Sequence, residues 1–100
     1  MMDPIEKDFL KNHGRVLYTG QYALSKNDAL KYIKLLNGKK FILGGDLYIE
    51  LNGNLVPDAS SWSTEPINYS IDESIIRSER FINQFSDEEN DLFFVIVVQK

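Results

Sequence analysis

The stretch from Phe41 to Leu51 constrains the fold more than any other part of the chain. Its odd positions, Phe41, Leu43, Gly45, Leu47, Ile49 and Leu51, alternate with Ile42, Gly44, Asp46, Tyr48 and Glu50. That two-residue period belongs to a strand with one core face and one partly polar face. Asn52-Gly53 follows at once, the preferred dipeptide of a type I′ hairpin turn, so Leu55-Val56 starts a return strand that Pro57 interrupts.

The remaining elements fall on either side of this hairpin. Asp3-Pro4 reads as the N-cap and first turn of a short helix that carries Ile5, Phe9 and Leu10 and stops near Gly14. Val16 to Leu24 is open between a short strand and an irregular crossing segment. Ser25-Lys26-Asn27-Asp28 is a weaker form of the capping box, opening a helix to about Leu36 with Ala29, Ile33 and Leu36 as its apolar stripe. Residues 57–68, with Pro57, Pro66, several serines and the only Trp, read as a loop. A third helix spans about Ser70 to Phe85, placing Ile71, Ile75, Ser78, Ile82 and Phe85 on one face. Leu92 to Val98 is apolar at every position, as an inner strand requires.

These elements predict one α+β domain over residues 1–100, with a mostly antiparallel sheet of three to five strands. Two main helices, 26–36 and 70–85, pack on one face beside a short N-terminal helix, leaving Asp46, Tyr48 and Glu50 on the other face. A content of 43% hydrophobic residues supplies a core for unaided folding. There are no cysteines, so disulfides and thiolate metal sites are excluded. The apolar run at 92–98 is too short to span a bilayer, and Asp3, Glu6, Lys7 and Asp8 do not follow the order of a signal peptide. The expected location is the cytoplasm.

Charge is unevenly spread. Residues 1–40 hold eight Lys or Arg against four Asp or Glu, whereas residues 41–100 hold three against eleven, for a net charge of −4. Such a field repels phosphates, which argues against nucleic-acid binding. It attracts a basic partner, although charge of this kind also serves plain solubility.

Candidate chemistry is sparse. His13 is the only histidine and has no second ligand or orienting group near it in sequence, so it reads as a surface residue. Gly44-Gly45-Asp46 lacks the Lys-Ser/Thr and following helix of a phosphate loop; a bulge, or an aromatic packed across the glycines, explains it better. Asp46 and Glu50 lie about 13 Å apart along an extended strand, too far for a glycosidase pair. With Tyr48 between them they form either a binding strip or a solvated sheet face. Trp62 is either a plug that pins its loop, the favoured reading, or an exposed anchor. No catalytic residue, metal site or cofactor is expected.

The order of a lysine-rich helix ending at Asn37-Gly38, the strand Phe41-Ile42-Leu43-Gly44-Gly45-Asp46-Leu47-Tyr48, the Asn52-Gly53 turn, Pro57, Trp62, a third helix and a final apolar strand resembles the immunity protein 40 family. The likeness covers roughly residues 9–98 and implies a bacterial antidote of polymorphic toxin systems that binds a cognate toxin without catalysing anything. The surface expected to meet the toxin comes from the residues themselves: Asp46, Tyr48, Glu50 and Trp62, joined by Asp87, Glu88, Glu89 and Asp91. An acidic patch of this kind suits the basic channel of a nuclease. The rival expectations are a small-molecule-binding domain, for which a deep cavity beside Gly44, Gly45 and Trp62 would speak, and a homo-oligomeric structural module.

Overall fold

The computed structural model describes residues 3–86 and 88–100. Helix α1 (Pro4–His13) starts where the Asp3 carboxylate accepts a hydrogen bond from the Ile5 amide at 2.8 Å. Strands β1 (Arg15–Val16) and β2 (Tyr22–Ser25) follow as an antiparallel pair. The segment 16–24, open on sequence, is therefore a short hairpin. The Ser25 hydroxyl caps α2 (Lys26–Leu35) by accepting from the Asp28 amide.

Next come β3 (Ile42–Leu51) and β4 (Asn54–Ser63), joined through Asn52 and Gly53 at φ of 52° and 83°. Both positive values identify the type I′ turn that the dipeptide foretold. Helix α3 (Ile71–Asn83) opens with a full capping box, in which Ser70 and Glu73 each accept the other's backbone amide. Strand β5 (Leu92–Val98) ends the fold.

Among the described residues the sheet has five strands in the order β1-β2-β5-β3-β4, every pair antiparallel. The strand that is apolar on both faces is thus the central one. Because β2 and β3 both run antiparallel to β5, they are parallel to each other with β5 between them. Helix α2 makes the crossover between these two strands.

Residues 57–68 are not a loop throughout, since β4 continues to Ser63. Two features make a strand with an internal proline possible. It is an edge strand, where a missing N–H breaks no ladder on the outer side. The register also shifts: Asp46 pairs with Ser61 but Tyr48 pairs with Pro57, so extra residues of β4 bulge out at 58–60. The Asp58 carboxylate accepts from the Ser60 amide at 2.9 Å within this bulge. The amide and hydroxyl of Ser60 hold the Asp58 carboxyl below its ordinary range.

Leu24, Phe94 and Leu47 stand side by side across β2, β5 and β3, and all three belong to the core with Ile33, Leu36 and Ile82 of the helical layer. Helix α2 contacts α3 and β5, α3 contacts β3, and α1 contacts α2 and β2. Burying a side chain the size of Phe94, which has no exposed surface, stabilises by about 1.5–3 kcal/mol.

The strand-interrupting glycines take their place in this layer. Gly44 has φ of 142°, and a Cβ there would run into the Trp62 carbonyl. A Cβ on Gly45 would meet the Val95 carbonyl and the indole of Trp62. The β3–β5 register shifts between Ile42 and Gly44, and the Ile42 amide there donates to the Ser74 hydroxyl of α3 at 3.1 Å. Both readings of the glycine pair therefore hold together, a register shift and an aromatic laid across the backbone. The space beside Gly45 is filled by indole.

Candidate partner-binding surface

Strand alternation puts Asp46, Tyr48 and Glu50 on the sheet face turned away from the core. The register adds their neighbours: Val95 lies beside Asp46, Phe93 and Pro57 flank Tyr48, and Leu55 lies beside Glu50. Arg15 and Ala23 of the β1–β2 hairpin share this face. Its centre is apolar and its margin polar. Asp46 is exposed, Tyr48 and Phe93 are half-buried, and Val95 and Ala23 are almost fully enclosed.

Arg15 is the residue that reasoning on sequence missed. Its guanidinium reaches from the far edge of the sheet, over the Phe93 ring at 5.3 Å from the centroid, to pair with the Glu50 carboxylate. The same guanidinium donates to the Gly53 carbonyl at 2.8 Å. The strip is thus acid, aromatic, ion pair and not three unpaired acidic or aromatic groups. No local signal links Arg15 to Glu50, thirty-five positions on. Only the strand order brings them together.

The acidic loop meets this strip at one end. The Glu50 amide donates to the Asp91 carbonyl at 2.8 Å, which seats the last turn before β5 against the end of β3. Glu88, Glu89 and Asp91 are exposed. The Glu89 carboxylate accepts from the Ser86 amide at 3.3 Å, and the Ser86 hydroxyl accepts from the Glu88 amide at 3.1 Å, so the loop has internal structure. Asp87 lies outside the described residues.

Trp62 stands apart from the other candidates. Opposite Gly45, it belongs to the helix side of the sheet, where its indole N–H donates to the Ser78 hydroxyl at 3.0 Å. The ring stacks on Phe81 with centroids 4.6 Å apart, and Phe81, Phe85 and Phe94 continue an aromatic row into the core. It is a half-buried plug between edge strand and helix.

His13 is exposed, packed 4.5 Å from the Phe9 ring, with its Nδ1 4.0 Å from Asp28. Among the described residues, no group of three His, Cys, Asp or Glu could hold a metal ion, and no helix is long and apolar enough to cross a membrane.

The chain is thus an α+β domain with one sheet face turned away from the helices and an acidic loop at the end of that face. The family model described as Immunity protein 40 matches residues 9–98. The chain belongs to that family. Membership supports an immunity role with a cognate toxin as partner. Searches of the curated proteins and of the solved structures returned no match.

Proposed function

We propose that this protein neutralises a cognate bacterial toxin domain in the cytoplasm by covering it, using the outer sheet face and the acidic loop beside it. Asp46, Tyr48 and Glu50 supply the strip, and Glu88, Glu89 and Asp91, with Asp87 just before them in sequence, supply the negative end. Trp62 supports the strip from behind by packing against Gly45. The observation that carries the reading is the preformed outer face. Arg15 is already tied to Glu50 and laid on Phe93, so little side-chain entropy remains to be lost there on docking. An aromatic centre ringed by charge is the usual anatomy of an interface.

A basic active-site channel, such as that of a nuclease, complements the acidic end, and capping it removes the toxin's access to substrate without any chemistry by the antidote. The test is co-expression with the polypeptide encoded immediately upstream, followed by pull-down. Rescue and a stable complex are expected, with association that slows as salt rises. A neighbour that is toxic but neither bound nor neutralised would remove the reading for that pair. Rescue by a complex indifferent to salt and to Asp46→Lys would leave the immunity role and discard the acidic surface.

A further inference from the structure

A cleft of about 420 Å³ opens on the helix side of the sheet, where β3 begins and β5 finishes. This volume lies within the range of small-molecule sites, about 300–1,000 Å³. Leu10, Tyr22, Leu24, Ile96 and Val98 give it apolar walls. Polar residues line it as well: Glu6, Tyr32 and Lys40, with Gln21, Gln99 and Lys100 completing the wall. Glu6 is only 7% exposed and Tyr32 only 2%, so both are built into the cleft.

The Lys40 ammonium donates to the Glu6 carboxylate at 3.0 Å. The Tyr32 hydroxyl makes no hydrogen bond among the described residues. Burial and then the Glu6 charge push its pKa up to about 12, so it stays protonated and able to donate.

The polar set selects its ligand by elimination. An aliphatic molecule would leave the Tyr32 hydroxyl dry and unpaired, which carries the full cost of desolvating it. A simple anion would gain Lys100 and Lys40 but face the buried Glu6 carboxylate, to which Lys40 is already bonded. A simple cation would gain Glu6 but displace Lys40 without repaying its charge. A ligand that bears both charges can open the Glu6–Lys40 pair and satisfy each half, while its apolar part fills the walls.

We propose that this cleft binds a small zwitterion with an apolar body, of the class of aliphatic or aromatic α-amino acids. Glu6 takes the ammonium, and Lys40 with the Tyr32 hydroxyl takes the carboxylate. The site is independent of the outer sheet face.

Isothermal titration of the full chain with L-leucine and with L-phenylalanine tests it. Saturable binding is expected for at least one, weakened about tenfold or more when N-acetylation removes the ammonium and again when amidation removes the carboxylate. The double variant Glu6→Gln/Lys40→Met removes both charges together, a change that tends to preserve folding, and is expected to abolish binding. Should that variant lose its cooperative unfolding, Tyr32→Phe, which removes only the hydroxyl and leaves the ion pair intact, carries the test by narrowing the preference for the carboxylate over the amide. No saturation with either amino acid, or equal binding of the blocked analogues, overturns the proposal.

Discussion

At the scale of single residues, the tightest constraint is at Gly44, whose positive φ and contact with the Trp62 carbonyl leave no room for a side chain. Gly44→Ala is expected to destabilise by more than about 2 kcal/mol, read as a lower urea midpoint at unchanged slope. Trp62→Phe and Ser78→Ala each delete one end of the same hydrogen bond and should cost about 1–2 kcal/mol apiece. The double variant should fall short of their sum by about 1 kcal/mol, which a double-mutant cycle measures.

Tyr32 makes a pH prediction whose sign follows from its raised pKa. Folded, it ionises near 12; unfolded, near the ordinary 10.0. The folded state therefore holds the proton more tightly. Its contribution is intact below about pH 10 and is lost as pH rises from there to about 12, a fall of roughly 2–3 kcal/mol. Urea titrations of the parent and Tyr32→Phe across this window should diverge, with the variant losing less stability.

Elements show most clearly where sequence reasoning succeeds and where it stops. The 41–51 strand, the Asn52-Gly53 turn and the central strand at 92–98 were readable because alternation and turn chemistry are local. So was α3, whose Ile75, Ser78 and Ile82 recur at helical spacing and face the core, although Ile71, expected on the same face, is exposed. Strand β4 beyond Pro57 was not readable, because a proline and a serine-rich run signal a loop unless the strand is known to lie at an edge. That knowledge is topological. Ser78 stands among the residues expected on the inward face and Ser74 does not, yet both hydroxyls act there, holding α3 to the bulged end of β3 and to the edge strand.

The β1–β2 hairpin is the clearest example at this scale. Two residues of β1 give almost no periodic signal, but they carry Arg15 to the outer face. Because the Arg15–Glu50 pair is partly exposed on both sides, Arg15→Ala should change stability by no more than about 1 kcal/mol in chemical denaturation. Its larger effect should be on binding, since it frees the Glu50 charge and uncovers Phe93. Association with a basic partner should then become more salt-dependent.

Across the whole molecule, charge asymmetry was legible in the composition, and the fold gives it direction. Glu88, Glu89 and Asp91 gather where β3 ends and β5 begins, beside Glu50, whereas Lys40 lies at the opposite end of the same strands. Trp62 shows the limit of reading a site from residue types: expected both as a plug, the favoured reading, and on the toxin-facing surface, it faces the helices.

The proposed toxin contact is the outer face together with its acidic end. It is tested most directly by survival of cells that express the upstream toxin domain together with this protein carrying Asp46→Lys and Asp91→Lys. Both residues are exposed, so the fold should persist, as circular dichroism would verify. Loss of protection with the fold intact is the predicted result. Full protection by the double variant would contradict it and move the toxin contact to another face.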